Sequence, residues 1–406
     1  MIYGKYAQAK LFATHIDDSA IDEILSMLDD ELLEGCRVAI MPDVCYADTH
    51  SVVGYVQTTN GRIDPRTISG DIGCGITLWK TNVKADSIDL VYADKKIREA
   101  ITEISNKIYV SYSDVAWEIS SLPIFRLADE YLDDVLDKIK LRKETFVGQL
   151  YTIGNGNHYI ELGIDYDRNL TIAIHSGSRA FGGAIHKYFM NKLKQKDFDK
   201  EAFTAGIKEI KSKYSGEKIA EKIAELKKSL TTEQKSYLYK PEDIALYKEY
   251  MELAVEYARL NRYIIADKIA DILGVHLFER IESIHNYLGT GGIIRKGAIS
   301  SYLNEKIIIA LNMADGMAIC KGKGNPDWLY SAPHGLGRLF SRTKAKETLS
   351  MDDFKKDMSN VYSSSVNESI IDESPKAYKP LDAVLPLIGG TCDIIEIIKP
   401  ILNIKY

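Results

Sequence analysis

No run of about 18 unbroken apolar residues, the length a membrane-spanning helix needs, occurs in this 406-residue chain. Its first residues, Met1-Ile2-Tyr3-Gly4-Lys5-Tyr6, carry no long apolar stretch of the kind a signal peptide has. A disulfide scaffold is excluded as well. The five cysteines, Cys36, Cys45, Cys74, Cys320 and Cys392, are odd in number, scattered and contain no Cys-x-x-Cys pair, the pattern of reduced thiols in a cytosol. Positive charge is not in excess: the net charge is -6 and the pI about 5.9, so a nucleic-acid partner would be held by a local patch rather than by the general surface. Internal repeats and low-complexity linkers are missing, which argues against two separable domains. The expectation is a soluble cytoplasmic protein with no membrane partner and no evident obligate protein partner.

Apolar residues make up 45% of the chain, enough to fill a sizeable core. Strand-like runs cluster towards the two ends. Val38-Ala39-Ile40-Met41 is short, apolar and stopped by Pro42; Val52-Val53-Gly54-Tyr55-Val56 follows, with a turn at Asn60-Gly61. Leu170-Thr171-Ile172-Ala173-Ile174 alternates as a half-buried strand and delivers His175 at its end. Residues 184–273 differ, being rich in Lys, Glu, Ala and Leu. Ile207, Ile210 and Tyr214, then Ile219, Ile223 and Leu226, recur at helical spacing with a break near Ser215-Gly216. A further helix over 249–273 ends at Gly274. The lysines of this block read as a solvated helix face rather than an RNA contact. Residues 382–406 return to β-branched runs such as Ile394-Ile395 and Ile397-Ile398. Strands on both sides of a helical block predict one α+β core, with mixed sheets, flanking helices and an internal helical subdomain at 184–273.

Several short segments carry chemistry. Ser331-Ala332-Pro333-His334-Gly335-Leu336-Gly337-Arg338 places a histidine before a glycine-rich turn, with Arg342, Lys344 and Lys346 following. Histidine can attack phosphorus, glycines let backbone N–H groups approach phosphate oxygens, and arginine grips those oxygens with a planar fork. In Ile68-Ser69-Gly70-Asp71-Ile72-Gly73-Cys74-Gly75 a carboxylate and a thiol lie three residues apart on a tight turn. Asn157-His158 precedes Glu161, His175 opens His175-Ser176-Gly177-Ser178-Arg179, and His285-Asn286 follows the helical block. Taken singly, each has a bland reading: a surface turn, a buried structural cysteine, a satisfied polar histidine. Together, one carboxylate, one thiol and several imidazoles suit zinc or a borderline ion such as manganese better than magnesium, which prefers oxygen alone.

In this order the segments resemble the RtcB-type RNA ligases. The resemblance rests on Met41-Pro42-Asp43-Val44, Gly70 to Gly75, Gly156-Asn157-His158-Tyr159-Ile160-Glu161, His175 to Arg179, His285-Asn286, Arg295-Lys296-Gly297-Ala298, Ser331 to Arg338, Ser341-Arg342 and Ile404-Lys405, and it spans essentially the whole chain. It implies one catalytic domain over residues 1–406. It also implies a GTP- and Mn²⁺-dependent ligase, with two ions, joining an RNA 3′-phosphate or 2′,3′-cyclic phosphate to a 5′-hydroxyl in RNA repair or tRNA splicing. His334 matches the family's nucleophile, which takes GMP as a phosphoramidate. Asp71, Cys74, His158, His175 and His285 match its metal ligands. Asn157, Gly335, Leu336, Gly337 and Arg338 fall on nucleotide phosphate, and Glu161, Tyr378 and Lys405 on guanine or ribose. Arg179 and Arg342 lie at positions suited to RNA phosphates.

Three stretches depart from the family pattern. Cys45-Tyr46-Ala47-Asp48 stands where His-Pro-Gly or similar is usual, with His50 a nearby residue that could compensate. Leu336 replaces an alanine. Ala310 and Ala314 occupy positions that often hold proline and arginine. The alternatives are a metal-dependent RNA cyclic phosphodiesterase that opens ends without joining them, and a non-catalytic protein that binds RNA ends.

Overall fold

The computed structural model describes residues 1–47, 49–106, 129–194, 200–229 and 235–406. Asp48 and, within the 184–273 block, residues 195–199 and 230–234 lie outside them. The strands of the first half are β1 (Ile2–Tyr3), β2 (Gln8–Leu11), β3 (Val38–Cys45), β4 (Val53–Thr58), β5 (Gly75–Lys84), β6 (Tyr159–Ile164) and β7 (Asn169–Ser176). Those of the second half are β8 (Leu277–Ile284), β9 (Asn286–Gly289), β10 (Ile293–Lys296), β11 (Ala298–Ser300), β12 (Lys306–Ala310), β13 (Met317–Gly322), β14 (Ser331–Pro333) and β15 (Cys392–Ile404). They form a seven-stranded antiparallel sheet in the order β12-β13-β15-β6-β7-β5-β8, a six-stranded mixed sheet in the order β1-β2-β3-β4-β10-β9, and the ribbon β11-β14. With helices on these sheets, the architecture is α+β, as the residue pattern predicts.

Alternation in β6 and β7 sorts the two faces of the large sheet. Ile160, Leu162, Leu170, Ile172 and Ile174 pack against Ile265, Ala266, Ile269 and Ala270 of the long helix Pro241–Leu273. The intervening residues, Tyr159 and Ala173 among them, face the other way with Ile76, Leu78 and Met317. The register aligns Ile76, His175 and Tyr159 across three strands, so His175 belongs to this second face. Glu161 sits opposite Asn403 there.

The long helix starts eight residues before the expected Glu249, because Pro241, which lacks an N–H, is suited to a first turn. It stops at Gly274 in the left-handed region, as expected. Its fully buried Arg262 donates to Thr77 Oγ1, the carbonyls of Gly73 and Ser176, and Glu282 Oε1, and so ties the ends of β5, β7 and β8 together. Lys200–Lys213 and Glu217–Ser229 form two helices broken where Ser215-Gly216 predicts. Among the described residues, no helix is long and apolar enough to cross a membrane.

One expectation fails at β3, which continues through Pro42 to Cys45. Pairing to β4 jumps from Ile40↔Tyr55 to Cys45↔Val53, and pairing to β2 ends at Ile40. Pro42 therefore sits in a bulge where no ladder N–H is required. Residues 382–390 are helical turns, so the last strand begins only at Cys392.

Candidate active site

Antiparallel pairing brings the start of β5, the start of β6 and the ends of β7 and β8 to one edge of the large sheet. The expected ligands stand at these ends: Cys74 just before β5, His158 just before β6, His175 near the end of β7 and His285 just after β8. Cys74 Sγ lies 3.2 Å from His158 Nε2 and 3.3 Å from His175 Nε2, and His175 Nε2 lies 3.4 Å from His285 Nε2. His158 Nε2 is 3.7 Å from Asp71 Oδ2. Two triads result, Asp71/Cys74/His158 and Cys74/His175/His285, each with its donor atoms within 4.8 Å of one another and both containing Cys74.

The turn carrying Asp71 and Cys74 is held from several sides. Asn286 Nδ2 donates to the Asp71 carbonyl, Ser178 Oγ to the Ile72 carbonyl, and the buried Lys296 ammonium to the Ile68 carbonyl. Gly177 is needed for a different reason. A Cβ there would come within 2.3 Å of Asp71 Oδ1, so the glycine makes room for the carboxylate.

The donor set fits a soft or borderline cation. Burial, aided by the Asp71 charge, pushes the Cys74 thiol well above its ordinary value, so a thiolate here needs a cation beside it. Burial also holds His175 and His285 well below the ordinary imidazole range, which leaves neutral rings with lone pairs to donate.

His334 stands next to this cluster, its ring centroid 4.6 Å from that of His285. Its Nδ1 lies 2.7 Å from Asp43 Oδ2, and the backbone N–H groups of His334 and Gly335 donate to the same oxygen at 3.1 and 3.3 Å. The bulge in β3 aims Asp43 at this point. Gly337, at φ +75, fits against the Asp43 carbonyl, where a Cβ would come within 2.0 Å. With Nδ1 as the donor to that oxygen, Nε2 is the ring nitrogen left with a lone pair. Lys379, buried between the carbonyls of His15, Pro42 and Val44, braces the bulge.

A cavity of about 690 Å³ opens beside His334. Asn157, Glu161, Gly335, Leu336, Gly337, Arg338, Arg342, Tyr378 and Lys405 all line it, as does Cys45. Burial pushes the Glu161 carboxyl up to about 8; Oε2 accepts from Asn403 Nδ2 at 2.9 Å, and Oε1 is buried with no partner among the described residues. Glu373, which motif reasoning missed, is the hub of the polar wall. Its carboxylate receives Lys405 Nζ at 2.8 Å, the Tyr378 hydroxyl at 2.6 Å, Arg342 Nη1 at 2.6 Å and Arg338 Nη1 at 3.2 Å. Although burial alone would raise its carboxyl, Lys405 and Arg342 bring it down to about 2. The expected phosphate grips Arg338 and Arg342 are thus already charge-paired, Arg342 also to Asp372 at 2.7 Å.

Arg179 is not among the cavity residues. Its guanidinium bonds Thr152 Oγ1 and lies 3.5 Å from His158 Nδ1, the side of that ring turned away from Cys74. His50, the nearby residue that could compensate for the altered stretch, has Nε2 3.0 Å from Oδ2 of the buried Asp64. Leu336 is buried with Leu311 and Val384. Asp43 had a visible signal, an acid in an otherwise apolar strand segment; Glu373 had none beyond the adjacent acids Asp372-Glu373.

Comparison with known proteins matches residues 33–406 to a family model described as tRNA-splicing ligase RtcB. The RNA-splicing ligase RtcB of Escherichia coli K12 is 27% identical over 397 residues, covering 91% of this chain and 90% of that protein. The RNA-splicing ligase RtcB2 of another Escherichia coli strain is 23% identical, covering 91% and 88%. The tRNA-splicing ligase RtcB of Aeropyrum pernix is 22% identical over 460 residues, covering 91% and 89%.

Proposed function

The chain belongs to the RtcB family of ligases, and on that premise we propose that it joins an RNA 3′-phosphate or 2′,3′-cyclic phosphate to a 5′-hydroxyl at the expense of GTP, with His334 as the nucleophile. The observation that supports this reading is the pairing of His334 Nδ1 with buried Asp43 beside the Cys74 cluster; with Nδ1 engaged, Nε2 would be the attacking nitrogen.

Asp71, Cys74, His158, His175 and His285 would hold one or two divalent ions, with manganese suited to the mixed donors. Such ions neutralise phosphate charge and polarise P–O bonds. A 3′-phosphate is a poor electrophile because its leaving group is hydroxide-like, so it must first be capped. His334 Nε2 attacks the α-phosphorus of GTP; the N–P bond forms, the bond to the β-phosphate oxygen breaks, and pyrophosphate leaves. Asp43 stabilises the positive charge that develops on the ring. GMP then passes to an oxygen of the RNA 3′-phosphate, and the 5′-hydroxyl attacks that phosphorus and expels GMP. A cyclic phosphate is first hydrolysed to the 3′-phosphate. The unpartnered Glu161 Oε1 would accept an N–H of the base, and Asn157, Gly335, Leu336, Gly337 and Arg338 would flank the nucleotide phosphates with Tyr378 and Lys405 close by.

The test is incubation with Mn²⁺ and α-labelled GTP. The protein should acquire an acid-labile, alkali-stable label that His334→Ala abolishes. A folded protein that never labels, yet opens cyclic phosphates, would instead be a phosphodiesterase.

A further inference from the structure

Each oxygen of a carboxylate offers two lone pairs, and Glu373 has all four in use. Its Oε1 accepts from Arg342 Nη1 at 2.6 Å and Arg338 Nη1 at 3.2 Å; its Oε2 accepts from the Tyr378 hydroxyl at 2.6 Å and Lys405 Nζ at 2.8 Å. One oxygen therefore serves the two arginines that follow His334 in the chain, and the other serves a tyrosine and a lysine from farther along it. All five residues line the cavity beside His334. Glu373 is itself buried, at the end of the helical turn Glu368–Glu373. The backbone of Lys405 is fixed separately, its N–H donating to Ser365 Oγ at 3.0 Å and its carbonyl accepting Arg98 Nη1 at 3.1 Å. Its ammonium also bonds the Gly156 carbonyl at 3.1 Å, so two of its three N–H groups are engaged and one is left for a group in the cavity.

Fixing a rotamer-rich side chain during binding lowers affinity, and a protein that has fixed it beforehand avoids that loss. We propose that Glu373 is a positioning residue for the nucleotide: its carboxylate holds Arg338 and Arg342 on one oxygen and Tyr378 and Lys405 on the other, so that GTP meets a wall already set. The assignment rests on the ligase reading above and adds to it the residue through which these four side chains are held together. A plain counter-charge would act with the opposite sign. GTP is a polyanion, so taking a negative charge out of the wall would strengthen its binding if charge were all that Glu373 supplied. An amide at this position keeps the shape but has one acceptor oxygen, and its NH₂ group faces two donors, so one of the two pairs is displaced. An aspartate keeps the charge and falls one methylene short of the four donors.

In the full-length protein with Mn²⁺, label transfer from α-labelled GTP is followed in single turnover over a range of GTP concentrations, with thermal melts of each variant alongside. Glu373→Gln and Glu373→Asp should both raise the GTP concentration at half-maximal rate about tenfold. The saturating rate, set at His334, should stay within about threefold of wild type. Glu373→Asp leaves the cations neutralised, so it carries the test if the glutamine variant does not fold. Half-saturation that is unchanged or tighter in Glu373→Gln, or equal to wild type in Glu373→Asp, overturns the proposal and leaves a counter-charge or a purely structural carboxylate. A loss confined to the saturating rate overturns it too, by making Glu373 part of the chemical step, and failure of both variants to fold overturns it in favour of stability. Each of these results leaves the ligase reading standing. Wild-type protein that takes no label overturns the ligase reading and this assignment with it.

Discussion

Asp43 and His334, 291 residues apart in sequence, meet at 2.7 Å between Oδ2 and Nδ1. The carboxylate is fully buried and also accepts the backbone N–H groups of His334 and Gly335, so a single oxygen holds both the ring and the backbone that carries it.

Asp43→Asn should keep the shape and lose the tautomer, since an amide can present N–H to Nδ1 and move the ring proton to Nε2. Amide substitution behind a catalytic histidine lowers turnover by up to about 10⁴-fold. Single-turnover transfer of GMP should fall by at least about a hundredfold, with little change in melting temperature. A variant that labels at the wild-type rate would remove Asp43 from the mechanism.

The cluster around Cys74 should make stability depend on metal. Mn²⁺ at about 100 times its Kd should stabilise the fold by about 2.7 kcal/mol. Thermal melts with Mn²⁺ and after chelation measure the shift, and His175→Ala should lose most of it. A melting temperature indifferent to divalent ions in wild type would argue against a metal site here.

Glu161 should leave a signature in the pH dependence of stability. Burial raises its folded carboxyl to about 8, against about 4.3 for an unfolded glutamate, so between these values the folded state holds a proton that the unfolded state has released. Its contribution is fully present below the unfolded value and is lost as pH rises towards 8. Glu161→Gln has no proton to lose, so its stability relative to wild type should increase between about pH 5 and pH 8. Urea denaturation across that range measures the difference, and parallel curves would contradict the assignment.

Leu336 is buried against Leu311 and Val384, so its bulk serves packing as well as the cavity wall. Leu336→Ala should cost about 2–5 kcal/mol in urea denaturation, while the folded protein still takes GMP at saturating GTP. An unchanged stability with an altered KM for GTP would reverse that assignment.

The residues that form the Cys74 cluster were legible because each lies in a short glycine-rich or strand-end segment whose chemistry shows within a few neighbours. The helices at 200–213 and 217–229 and the stop at Gly274 were legible for the same reason, since helical periodicity and capping are local. Pro42 misled, because a proline ends a strand only where a ladder N–H is needed, and the bulge removes that need. Glu373 was invisible because nothing beside it in sequence marks a carboxylate on which Lys405, Tyr378, Arg338 and Arg342 converge.

By itself, then, the sequence determined the inventory: one thiol, one carboxylate and three imidazoles of metal-binding type, a histidine ahead of a glycine-rich turn, and the α+β alternation of elements. Tertiary structure alone decided that Cys74 belongs to both triads, that Asp43 meets Nδ1 of His334, and that Arg338 and Arg342 are already paired. The reason is range. Propensity and capping act over a few residues, whereas these contacts join positions 31 to 291 apart and exist only once the chain has folded.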